Sequence, residues 1–146
     1  MGGPFLNSRL NIALREKSGL TYNIESQYTP FSDTGIINVY FGTENNNLDK
    51  SIDIFNSEIK KLREKALTNN QLSIAKKQLL GLIALNQENQ INELFSITKS
   101  YMAFNKVDSF EEIYRKIMKI SSVDILEVAN EIFAEDKLSY LIYNSK

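Results

Sequence analysis

A chain of 146 residues with no histidine and no cysteine has few ways to do chemistry. It lacks the usual nitrogen and sulfur ligands of zinc, and without an imidazole base it cannot build a catalytic triad. Two residues stand out instead by their placement. Arg15 and Tyr22, seven positions apart, flank one tight turn that leads from a helix into a strand. Leu6, Leu10, Ala13 and Leu14 recur at helical spacing, and at 100° per residue Arg15 lies about 180° from Leu6. Arg15 is therefore expected to point away from the core. Asn7 or Ser8 can cap the helix, Arg15 and Lys17 fall in its last turn, and Gly19 is the expected left-handed stop. From Leu20 the period changes to two. Leu20, Tyr22, Ile24, Ser26 and Tyr28 then share one face of a strand, with Thr21, Asn23, Glu25 and Gln27 on the other. By type alone, such an Arg is a solvated partner of the helix dipole, and such a Tyr packs with its hydroxyl at the rim.

One further pattern carries a chemical suggestion. Asp33-Thr34-Gly35 has the form of the aspartic peptidase tripeptide, but that chemistry needs two such carboxylates sharing a proton. A single copy after Pro30-Phe31-Ser32, with no apolar strand leading into it, reads as a turn. The chain holds no phosphate-cradling loop, calcium loop, nucleophile elbow or internal repeat.

Gly2-Gly3-Pro4, Ser8-Arg9-Leu10, Leu14-Arg15-Glu16-Lys17, Gly19-Leu20-Thr21-Tyr22 and Asp33-Thr34-Gly35 together carry a resemblance. The chain resembles the C-terminal half of the insulinase, pitrilysin and mitochondrial-processing-peptidase family of zinc metallopeptidases (M16), closest to its short bacterial members. The resemblance runs from Gly2 to about Tyr143, specific at the front and only patterned beyond. It implies two similar α/β domains that close around an unfolded peptide, with an inverted His-x-x-Glu-His zinc motif in the first. It also implies that Tyr22 hydrogen-bonds the oxyanion at the scissile carbonyl and that Arg15 holds substrate backbone carbonyls. With neither His nor Cys, the chain cannot be a complete zinc peptidase. Zinc, as the cofactor of the parent enzyme, is expected in an N-terminal half, and none in this chain. The glycine-proline start at Met1 to Pro4 is an abrupt opening for a domain, and in the resembling enzymes a strand and part of a helix come first. A cut there, by design or proteolysis, is the expectation.

Composition narrows the partners. An apolar fraction of 42% with 24% charged residues is ordinary for one soluble domain, and 1–146 is expected to be a single one. Seventeen basic against eighteen acidic residues leave a net charge of −1 without a basic stripe, so nucleic acid is not an expected partner. No apolar run is long enough to span a membrane, and the start Met1-Gly2-Gly3-Pro4 lacks the basic and hydrophobic segments expected of a signal peptide. The compartment stays open, with cytoplasm preferred to periplasm; the absence of Cys fits a reducing or an oxidising one.

The remaining elements follow from period and caps. Gly35 to Thr43 reads as a second strand, paired with the first as an antiparallel hairpin. Leu48, Ile52, Phe55, Ile59 and Leu62 define an amphipathic helix. Thr68 to Gln71 is a capping box for a long helix whose apolar face holds Leu72, Leu79, Ile83, Leu94, Ile97, Tyr101 and Phe104. The polar run from Asn86 to Gln90 predicts either a bend or two helices end to end. A second box at Ser109 to Glu112 opens a helix to about Ile120. Ser121 or Ser122 caps another through Phe133, and Leu138 to Tyr143 reads as a terminal strand. Strands at both ends with helices between them predict an α+β fold, a largely antiparallel sheet covered on one face by helices in a two-layer sandwich.

The function this favours is the substrate-binding, oxyanion-stabilising half of a zinc-dependent endopeptidase for unfolded peptides, inactive without its zinc-binding N-terminal half. An alternative is a non-catalytic partner or structural core subunit of the same fold, and a third is a peptide-binding module using an open sheet edge. The fragment is also expected to associate with itself, because an uncovered strand edge is a template for pairing.

Overall fold

Leu10 and Leu14 are both completely buried, and this pair seats the first helix on the core. The computed structural model describes residues 8–144, so Leu6 and the possible cap Asn7 lie outside the described residues. The helical segment Asn11–Glu16 is a π-helix rather than an α-helix. Its wider turn shows in the bond from Lys17 N–H to the Ile12 carbonyl, 2.9 Å across five residues. Ser8 does not cap it in the usual way: its hydroxyl accepts from the Asn11 side-chain amide at 2.9 Å instead of from a backbone N–H.

Strands β1, Thr21–Pro30, and β2, Gly35–Thr43, pair antiparallel as a hairpin. Asp33 and Thr34 lie exposed in its loop, where Phe31 N–H donates to the Thr34 carbonyl at 2.8 Å. A Cβ at Gly35 would lie 2.5 Å from the hydroxyl of the exposed Tyr28, so a larger residue there would displace that ring. On β2, Ile37, Val39, Phe41 and Thr43 turn inward while Ile36, Asn38, Tyr40 and Gly42 are exposed. Helix α1, Leu48–Glu64, buries Ser51, Phe55, Ile59 and Leu62 on its inner side. Phe55 meets the Phe41 ring at 6.3 Å and Tyr140 edge-on at 6.5 Å.

Helices α2, Asn69–Glu88, and α3, Gln90–Phe104, are two separate helices. The break falls at Asn89, whose side chain caps α3 by accepting from Ile91 and Asn92 N–H at 3.1 and 3.2 Å. Thr68 and Gln71 form the capping box of α2, and Ser109 and Glu112 that of α4, Phe110–Lys119. Helix α5, Ser122–Ile132, starts at Ser121, which exchanges hydrogen bonds with Asp124 at 2.7 and 3.2 Å. The common buried stripe expected along α2 and α3 is not formed: Leu94, Tyr101 and Phe104 are all more than half exposed.

The chain divides into two compact units, Met1–Lys65 with Ala129–Lys146, and Ala66–Val128. In the first, Leu10, Leu14, Ile24, Phe55, Ile59, Leu62, Ala129 and Phe133 make the core. In the second, Ile117 is the buried apolar residue, and Lys76 ties α2 to the Met118 carbonyl at 2.8 Å. The fold is α+β, with a sheet of two strands among the described residues. The terminal strand expected from Leu138 to Tyr143 is not formed. Its aromatic and aliphatic residues suit a strand, but no described strand pairs with it, and a strand is defined by its ladder.

Candidate functional site

The helix carrying Arg15 closes by nested hydrogen bonds. Gly19 N–H donates to the Arg15 carbonyl at 3.0 Å and Leu20 N–H to the Leu14 carbonyl at 2.9 Å. Gly19 makes this reversal with φ of +62°, a conformation that suits glycine. The Ser18 hydroxyl donates to the Ala13 carbonyl at 2.8 Å and satisfies another helix-end acceptor. Arg15 projects from the outer side with 43% of its side chain exposed, 3.8 Å from the Glu16 carboxylate. Its expected direction, away from the core, is the one observed.

Tyr22 departs from simple alternation. Thr21 pairs with Thr43 and Ile24 with Phe41, so three steps along β1 match two along β2. Tyr22 and Asn23 together therefore oppose the single residue Gly42, which is a β-bulge. The bulge reverses the strand's phase. Thr21 and Ile24 are both buried, at 4% exposure each, whereas Tyr22 is 93% exposed. The expectation that Tyr22 shares the face of Ile24 is corrected here, and with it the packing role suggested by residue type. Gly42 had carried the signal, since an isolated glycine within a strand pattern marks a bulge or a close approach. A Cβ at Gly42 would meet nothing within 4 Å, so the space beside the bulge is open.

Three hydroxyls that sequence reasoning passed over lie beneath this surface. Thr21 Oγ1 donates to the Asn23 carbonyl at 3.0 Å, and Thr43 Oγ1 to the Leu20 carbonyl at 2.8 Å. Ser51, completely buried on α1, reaches Thr43 Oγ1 at 3.2 Å and the Asn47 carbonyl at 2.8 Å. Nothing in their type or spacing distinguishes them from ordinary strand and helix residues.

The donor set does not fit zinc. The chain has no His or Cys, and among the described residues no group of three or more carboxylates could hold a metal ion. Among the described residues no helix is long and apolar enough to cross a membrane.

Comparison with known proteins places this geometry. The family described as the Peptidase M16 inactive domain matches residues 1–79. A protein of Rickettsia bellii named an uncharacterized zinc protease is 32% identical over 140 residues, which is 96% of this chain and 34% of that protein. An uncharacterized zinc protease of Bacillus subtilis is 25% identical over the same shares of the two chains. The chain thus spans about a third of the length of these relatives. A conserved protein of Enterococcus faecalis has the same fold, with a TM-score of 0.77 at 23% identity over 88% of this chain and 30% of its own. A peptidase M16 inactive domain from Pseudomonas fluorescens matches with a TM-score of 0.70 at 21% identity over 89% and 31%. A chain of Complex III2 from Candida albicans matches with a TM-score of 0.73 at 20% identity over 87% and 32%. The chain belongs to the Peptidase M16 inactive-domain family.

Proposed function

We propose that this chain is the substrate-binding and oxyanion-stabilising half of a zinc-dependent endopeptidase that cleaves unfolded peptides. The observation that carries the reading is the exposure of Tyr22 at 93% on a bulge, seven residues after an outward Arg15. A phenol held in that position has its O–H available as a donor, and a donor aimed where charge develops lowers the barrier to acyl transfer. Arg15 supplies a second donor, this one cationic, for peptide carbonyls on the other side of the turn. Zinc is assigned to the N-terminal half of the parent protein, the partner this chain would need for activity. The names of the relatives, zinc proteases about three times as long, support that assignment.

The test uses the parent protein with both halves present and a quenched unfolded peptide. Arg15→Ala is expected to change both kcat and KM with zinc content unaltered, and this chain alone is expected to show no turnover. Wild-type kinetics for Arg15→Ala would remove it from the site. The second reading, a non-catalytic subunit of the same fold, has the likeness to the Complex III2 chain on its side, and that likeness is one of fold alone. The sequence of the N-terminal half separates the two: an inverted His-x-x-Glu-His motif favours the enzyme, and its absence the subunit.

A further inference from the structure

We propose that Thr21, Thr43 and Ser51 are positioning residues for Tyr22, their hydroxyls holding the bulge that turns the phenol outward. This rests on the reading of Tyr22 as an oxyanion donor. Ile24 is anchored in the core, and in an unbroken strand counted back from it Tyr22 would face inward and Thr21 outward. That regular pairing is the competing state. It would bury a large aromatic ring and release a buried hydroxyl to solvent, both of which favour it. The bulge needs specific bonds to prevail over it.

The hydroxyls provide those bonds on both sides of the extra residue. Thr21 Oγ1 donates across the bulge to the Asn23 carbonyl at 3.0 Å, so the bond exists only while Thr21 is turned in. Thr43, paired with Thr21 in the ladder, donates to the Leu20 carbonyl at 2.8 Å and fixes the residue that enters the strand. Ser51 Oγ has one proton and two acceptors in reach, Thr43 Oγ1 at 3.2 Å and the Asn47 carbonyl at 2.8 Å. The bond to Asn47 is the shorter, and when the proton turns to Thr43 instead it links α1 through β2 to the Leu20 carbonyl. Packing alone gives no reason for these residue types, because a valine or an alanine fills the same space without a polar group to satisfy. Directional bonding at the bulge does give one.

The experiment is a mutant cycle in the zinc-loaded parent protein, with both halves present, on a quenched unfolded peptide. Thr21→Val removes one hydrogen bond and leaves the shape. It is expected to lower kcat about tenfold, the equivalent of roughly 1.4 kcal/mol, with KM little changed. Thr21→Ser, which keeps the hydroxyl, should restore the rate. In a Tyr22→Phe background Thr21→Val should cost nothing more, because a residue acting through the phenol has nothing left to position. Additive losses in the double variant would overturn the proposal, as would a wild-type kcat for Thr21→Val. If Tyr22→Phe is itself silent, the reading of Tyr22 fails and the positioning role falls with it. If Tyr22→Phe is slow while Thr21→Val is not, the positioning role alone fails. Should Thr21→Val not fold, Thr43→Val crossed with Tyr22→Phe decides by the same rule.

Discussion

Tyr22→Phe removes a single oxygen, and the structure separates its effects on stability and on rate. The ring is 93% exposed and its hydroxyl makes no hydrogen bond to another described residue. Surface substitutions away from caps, cores and networks fall within about ±0.5 kcal/mol of neutral, so the melting temperature should not move. If the hydroxyl meets charge that forms mainly in the transition state, its loss costs about 10²- to 10³-fold in kcat, some 2.7 to 4 kcal/mol of barrier. KM should change little, because the ground-state carbonyl makes no equal demand on the donor. The assay is initial rate against concentration of a quenched unfolded peptide, using the parent protein with both halves present. Zinc is measured by elemental analysis on the same preparations. A loss confined to KM would assign Tyr22 to ground-state binding, and unchanged kinetics would end its catalytic role. A drop in melting temperature would show that the hydroxyl makes a stabilising hydrogen bond in the folded parent protein.

Gly42→Val should leave the fold intact, because a Cβ there meets no atom within 4 Å, yet raise KM by crowding the space opposite Tyr22; unchanged KM would show that substrate does not approach β2 at that point. Asp108 is held down to about 2 by hydrogen bonds from Lys106 and Lys116, so the stability it contributes is present above the ordinary carboxylate range and is lost as pH falls through about 2. Helical circular dichroism from pH 5 to 1.5 should therefore fall less steeply for Asp108→Asn, and identical profiles would remove the ion pairs as the cause. The isolated chain should self-associate, most simply as a two-fold dimer, because both strands of its sheet are edges among the described residues and Tyr28, Ile36 and Tyr40 are exposed beside them. Sedimentation equilibrium tests this, and a folded monomer at high concentration would show the edges to be protected by other means.

The elements most legible in the sequence were those fixed by local chemistry. Strand β2 runs from Gly35 to Thr43 as its β-branched and aromatic residues predict, and both capping boxes form between the expected pairs. Asn86 to Gln90 left a choice between a bend and a break, which Asn89 resolves by capping a new helix. What could not be read depends on partners distant in sequence. Leu138 to Tyr143 has a strand's composition without a described ladder partner, and the apolar residues of α3 remain exposed despite their helical spacing. Periodicity identifies a face that would be apolar if the element formed. It does not say what covers that face.

The failures closest to the candidate site have a different origin, and they fall on the two elements that carry it. A spacing of four between Leu10 and Leu14 suits an α-helix and a π-helix alike, so the wider turn that bears Arg15 leaves no trace in the apolar pattern. One strand later, the extra residue of the bulge is invisible to a period of two, because Thr21 and Ile24 each read as acceptable inward residues. Each irregularity has a cost in regular hydrogen bonding; the bulge turns Tyr22 outward, while Arg15 keeps the outward direction that a regular α-helix would also give it. Had β1 been regular, Tyr22 would lie with Ile24 against the core and its phenol would not stand beside the turn. Local reasoning therefore breaks down at the bulge, the irregularity that decides which way Tyr22 faces.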